Sequence, residues 1–105
     1  MTKGSKSLIM KRGQRTGSYE LGMFEVIEYN KSAFKHAISE EDIRWAFFHF
    51  RYDAPIEGME NKYLRIGFDR KGNLLEIMYN ENDEHSVNIF HAMKCRSIYF
   101  SLLKT

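Results

Sequence analysis

The chain of 105 residues carries 16 basic and 14 acidic side chains, and 43% of it is hydrophobic and 14% aromatic. A chain this long buries roughly two-thirds of its unfolded surface in one domain, which argues against two independent domains, and its apolar content excludes a disordered chain. No apolar run is long enough to span a bilayer, and the lone Cys95 excludes an internal disulfide or a thiolate metal cage. Leu8, Ile9 and Met10, behind Lys3 and Lys6, are too short a run for a secretory signal, so a cytoplasmic protein is the simplest expectation.

The charge is unevenly placed. Residues 1–22 hold Lys3, Lys6, Lys11, Arg12 and Arg15 against Glu20, which makes this stretch +4 and leaves −2 for the rest. Gly4, Gly13, Gly17 and Gly22 interrupt any periodicity there. Residues 1–22 therefore read as a flexible basic extension, either a solvated leader or an arm for nucleic acid, and residues 23–105 as a single α+β domain.

Alternation over Phe24 to Tyr29 predicts a short strand, after which Asn30 can cap a short helix from Lys31 to about His36. Ser39 followed by Glu40, Glu41 and Asp42 is a helix start, because the hydroxyl caps free amides and the acids oppose the positive helix end. Ile43, Ala46, Phe47 and Phe50 then recur at i, i+3, i+4 and i+7 on one apolar face. Pro55 and Gly58 break the chain before a strand over Tyr63 to Phe68, with Leu64, Ile66 and Phe68 on one face and Tyr63 and Arg65 on the other. A turn over Asp69 to Asn73, with Gly72 free to take positive φ, leads to a strand from Leu74 to Tyr79. A polar turn from Asn80 to His85, a strand from Ser86 to Ala92 and a helix from Lys94 to Leu103, with Cys95, Ile98, Tyr99 and Leu102 on one side, complete the chain. The expected architecture is a small antiparallel β-meander sheet with two N-terminal helices and one C-terminal helix packed on it.

The chemistry gathers near His91. If Val87 and Ile89 face the helices, His91 shares their face; if Phe90 faces inward, His91 points outward, and the sequence leaves both orientations open. Lys94 and Arg96 follow at once. Cations at a helix start oppose its dipole, so the site suits either solvated charges or a bound anion such as phosphate. Glu76 reads as a solvent-side charge or, if it shares an open end of the sheet with His91, as its partner in proton transfer. Glu76 and His91 would then serve as general base and acid for attack by an RNA 2′-hydroxyl, with Arg65, Lys94 or Arg96 stabilising the negative charge and no metal required. His49 and His85 read as ordinary surface histidines, and no zinc-pair spacing is present.

The ordered segments FKHAISEEDI, NKYLRIGFDRKGNLLEIMYN and NIFHAMKCR resemble the BrnT branch of the RelE/ParE-like toxin superfamily over residues 24–103. Ala37 stands where the family pattern has glycine after Lys35 and His36, Lys62 where arginine is common, and His91-Ala92-Met93 where a serine-alanine-arginine type of sequence is usual. The resemblance implies a RelE-like fold and the toxin of a type II toxin–antitoxin pair, an endoribonuclease acting on mRNA without a cofactor. It also implies a small antitoxin with a DNA-binding domain as partner, in a homodimer or a heterotetramer. Lys35, His36, Lys94 and Arg96 would bind substrate, and His91, Glu76 and Arg65 would be catalytic. The competing expectation is a non-catalytic interaction domain that presents Trp45, Phe48 and Phe50 to a protein partner.

Overall fold

The computed structural model describes residues 26–104. The extension expected over 1–22 lies outside them, as do Phe24 and Glu25 of the first expected strand. In chain order the elements are β1 (Val26–Tyr29), a 3-10 turn η1 (Lys31–Phe34), α1 (Glu40–Phe48), β2 (Phe50–Pro55), β3 (Tyr63–Phe68), β4 (Leu74–Asp83), β5 (Ser86–Lys94) and a 3-10 segment η2 (Ser97–Leu103).

Helix α1 begins where its sequence dictates. Ser39 Oγ accepts the Asp42 N–H at 3.1 Å, and Glu40, Glu41 and Asp42 fill the first turn. Ile43, Ala46 and Phe47 are fully buried against Leu75, Ile77, Tyr79, Val87, Ile89 and Ala92 of the sheet. Burial on this scale makes a truncation such as Phe47→Ala worth about 3–5 kcal/mol. Gly67 lets the helix come this close, because a Cβ there would collide with the Ala46 carbonyl oxygen and crowd that of His49 at 2.9 Å.

The five strands lie in the order β1-β5-β4-β3-β2, with β1 parallel to β5 and every other pairing antiparallel. Side chains alternate across the sheet, so Arg65, Gly67, Leu75, Ile77 and Tyr79 face α1 while Leu64, Ile66 and Glu76 face away. In β5 the alternation is broken once. His91 pairs with Met78 and Ile89 with Tyr79, leaving Phe90 as an extra residue in a β-bulge. Val87 and Ile89 therefore face the helix, and so does Ala92, whereas His91 and Met93 are turned to the opposite face.

The expected three-helix meander is corrected in three places. The first helix shrinks to the single turn of η1: Asn30 makes no side-chain cap, and the chain leaves it through Ala37 at φ 64°, which ends any helix. The apolar face of α1 does not reach Phe50. The helix stops at Phe48, and the β-favouring run beyond it pairs with β3 as an edge strand that ends on Pro55. At the C-terminus, β5 runs on to Lys94 because Ala92, Met93 and Lys94 find ladder partners in Ile77, Glu76 and Leu75. Only η2 follows, with no buried residue and Ile98 69% exposed, so the apolar side predicted for a packed helix has no core beneath it. With β1 added in parallel, the sheet is mixed and the domain is mostly strand.

Two substitutions test this description. Gly67→Ala should destabilise the fold by roughly 1–3 kcal/mol, since the obstacle is backbone that cannot repack, and urea denaturation reads this directly. Ala37→Gly should stabilise by about 0.5–1 kcal/mol by relieving a left-handed alanine, seen as a higher urea midpoint at unchanged m-value.

Candidate active site

Glu76 lies in the middle of β4, between Leu75 and Ile77, and the strand alternation that buries those two against α1 sends Glu76 to the opposite face. Its cross-strand neighbours are Ile66 and Met93, and its side chain is fully buried. A carboxylate in such surroundings is tolerable only if its oxygens are hydrogen-bonded and its charge matched. Arg96 supplies most of this. Its backbone N–H donates to Oε1 at 2.9 Å, Nε to Oε1 at 3.1 Å and to Oε2 at 3.2 Å, and Nη2 to Oε2 at 2.6 Å. His91 completes the shell, with Nε2 2.9 Å from Oε2.

Burial pushes the Glu76 carboxyl up, but the hydrogen bonds from Arg96 and then His91 outweigh it and hold the carboxyl below its usual range. The same pairing raises the Arg96 guanidinium. An ionised carboxylate can only accept, so Nε2 of His91 carries the shared hydrogen and Nδ1 is the atom left to exchange a proton with a substrate. His91 is 21% and Arg96 46% exposed, which leaves both reachable from solvent while their anchor is sealed.

A fourth group comes from the start of the domain. β1 ends at Tyr29, and the following chain takes its place beside β5: Asn30 N–H donates to the Ile89 carbonyl at 2.9 Å and Ser32 Oγ to the Phe90 carbonyl at 2.6 Å. This brings the His36 ring edge-on to that of His91, 5.7 Å between centroids. Between this loop, the end of β5 and the β3–β4 turn lies a hollow of about 300 Å³, with His36, Met93 and Lys94 in its wall.

Of the residues predicted for the site, Glu76, His91 and Arg96 are thus in direct contact and His36 adjoins them, whereas Lys94 is exposed and, opposite Leu75, lies on the α1 face of the sheet, where it shares the wall of the hollow with His36. Lys35 is exposed at the end of η1, and among the described residues no hydrogen bond or ion pair ties its side chain to the cluster. Arg65 is not part of it. That side chain faces α1, donates to Asp53 Oδ1 at 3.2 Å and the Phe47 carbonyl at 2.9 Å, and lies 4.1 and 3.9 Å from the Phe47 and Phe50 ring centroids. It is fully buried and structural. Glu76 also differs from its expected role. Both of its oxygens are occupied by hydrogen bonds from Arg96 and His91, which leaves neither open to solvent.

Cys95, next to Arg96, is held as a thiol, because burial and the Glu76 charge raise its pKa, so it is a poor nucleophile. Among the described residues no three histidine, cysteine or acidic side chains gather as a metal-binding group. The aromatic patch expected from Trp45, Phe48 and Phe50 is not formed. Trp45 is 43% exposed and stacks on His49, but Phe48 is buried and Phe50 lies against Arg65. No helix among the described residues is long and apolar enough to cross a membrane.

The sequence reading missed Arg96 as the partner of Glu76, and missed the turn residues Asp69 and Asn73 that border the hollow. One signal was available for the first: an acid inside Leu74-Leu75-Glu76-Ile77-Met78 has apolar neighbours on both sides and needs a cation. Compared with known protein families and with curated proteins, the chain matches none.

The pH dependence follows from the sign of the Glu76 shift. A depressed folded pKa stabilises the fold fully above the ordinary value of 4.5, and that contribution is lost as the pH falls through the folded value. Glu76→Gln should cost roughly 1.5–3 kcal/mol at neutral pH by removing charge-assisted hydrogen bonds. The gap from wild type should close as urea melts are repeated at progressively lower pH below 4.5.

Proposed function

We propose that the chain is the toxin of a type II toxin–antitoxin pair and acts as a metal-independent endoribonuclease on mRNA. The observation that carries this reading is a sealed carboxylate presenting one imidazole and one guanidinium to solvent, with a second imidazole alongside. His91 Nδ1 takes the proton from a ribose 2′-hydroxyl, whose oxygen attacks the adjacent phosphorus. The bond from phosphorus to the 5′-oxygen breaks, and His36 protonates that oxygen. The products are a 2′,3′-cyclic phosphate and a 5′-hydroxyl. Lys94 and the N–H groups of Arg96 not held by Glu76 lower the energy of the doubly charged phosphorane.

The resemblance to BrnT-like toxins rests on motifs and not on the helix layout. It is supported at Ala37, where the family pattern has glycine and the backbone takes φ 64°. An antitoxin has apolar surface to cover on η2, where Ile98, Phe100 and Leu102 are exposed. That same surface favours the second reading, a non-catalytic interaction domain.

Incubation of the full chain with single-stranded RNA in EDTA separates the two. Cleavage that resists the chelator, leaves cyclic phosphate ends and falls roughly 100-fold or more in His91→Ala is expected from the loss of one acid–base group. Intact RNA after treatment with folded wild-type protein would rule the nuclease out and leave the interaction domain.

A further inference from the structure

The face of the sheet turned away from α1 carries a cation that the acid–base cluster does not use. Lys62 directly precedes β3, and strand alternation puts it on the side of Leu64, away from the helix. Its side chain reaches across β4 to β5 and sets Nζ 4.9 Å from the centroid of the Phe90 ring, within cation–π range. Phe90 is the extra residue of the bulge, so the ammonium is held one residue along the strand from His91.

The surroundings of this ammonium are neutral. Met78 pairs with His91, and two residues further along β4 Asn80 pairs with Asn88, whose Nδ2 donates to Asn80 Oδ1 at 3.2 Å. These four side chains, like Phe90 and Lys62, are half-buried and keep part of their surface in solvent. Arg65, Arg70 and Arg96 each have a carboxylate partner. Lys62 has none among the described residues, although Glu57 and Glu60 lie exposed in the loop before it. A flexible side chain is thus tethered to a ring beside the acid–base cluster, with its charge unmatched.

The positions of the two cations select the ligand. Along β5, Arg96 sits on Glu76 at the Met93 rung, His91 occupies the next rung, and Lys62 lies beyond it over Phe90. A small anion would meet one of these charges. A strand with phosphates at regular intervals meets both, with His91 between them, and lysine serves such a phosphate as a point charge.

We infer that Lys62 binds the phosphate adjoining the one under attack, so that a single RNA strand crosses this face with one phosphate at Arg96 and the next at Lys62. The inference rests on the ribonuclease reading for the place of His91 between them. Binding is measured without cleavage, so the two fail separately.

The test uses the full chain and a single-stranded 2′-O-methyl oligoribonucleotide, which lacks the attacking hydroxyl and stays intact. Lys62→Gln should bind it several-fold more weakly than wild type. The slope of log affinity against log salt should shrink by about 0.7, the loss of one phosphate contact on a single strand. Lys62→Arg should restore both. Lys71→Gln, which removes an exposed cation from the turn at the other end of β3, should alter neither. In the wild-type protein the NMR signal of the Lys62 ε-methylene, shifted by the Phe90 ring, should move saturably with the oligonucleotide. No binding by wild type, an unchanged slope in folded Lys62→Gln, or an equal loss in Lys71→Gln would each overturn the contact. Should Lys62→Gln be unfolded, a Lys62 signal that stays in place during binding overturns it instead. RNA cleavage with an unaltered KM in Lys62→Gln would sink the contact and keep the nuclease, whereas oligonucleotide bound through Lys62 by a protein that leaves RNA intact would do the reverse.

Discussion

One extra residue in β5 governs how this domain divides its labour. The bulge at Phe90 lets a single strand place Val87, Ile89 and Ala92 in the core beneath α1 and still turn His91 and Met93 to the other face. Without it, strict alternation would put His91 under the helix with Val87 and Ile89, and Ala92 would leave the core. The bulge also falls just past the point where β1 stops pairing with β5, so the reoriented ring is met by the loop carrying His36 and not by a further strand. Bulges commonly sit where a side chain must be re-aimed.

The two faces of the sheet each hold a buried acid, and their partners differ in a way that separates structure from chemistry. Asp53 is paired with Arg65 and accepts the Tyr79 hydroxyl at 2.7 Å; both side chains are sealed, and Arg65 lies between the Phe47 and Phe50 rings. Such a pair holds β2 and β3 in register but offers nothing to solvent. Glu76 is just as deeply buried, yet its partners are about half and one-fifth exposed. A buried charge whose counter-charges reach the surface fixes them in place without hiding them.

Local signals explain which parts of the fold were readable. Ser39 and the three acids after it state where α1 begins, because capping and dipole effects are confined to a single turn. Asp69 and Gly72 announce the β3–β4 hairpin for a similar reason, Gly72 having φ 87°. Periodicity misled where tertiary pairing overrode it. Phe50 continues the apolar face of α1 in sequence but pairs with Gly67 in a strand, and Lys94 opens an apparent helix but pairs with Leu75. Arg65 was misplaced because alternation alone cannot say which face of a sheet, both partly apolar, receives the helix.

By itself, the sequence determined the α+β mixture, the start of α1, the hairpin turn and the gathering of chemistry toward the segment from His91 to Arg96, all of which depend on residues within a few positions of one another. The tertiary structure alone decided the parallel pairing of β1, the facing of His91, the removal of Arg65 from the site, and the union of Glu76 with Arg96 across 20 positions of chain. Those outcomes depend on which strands lie side by side and where one bulge falls, and no local pattern encodes the distance between residues that only folding brings together.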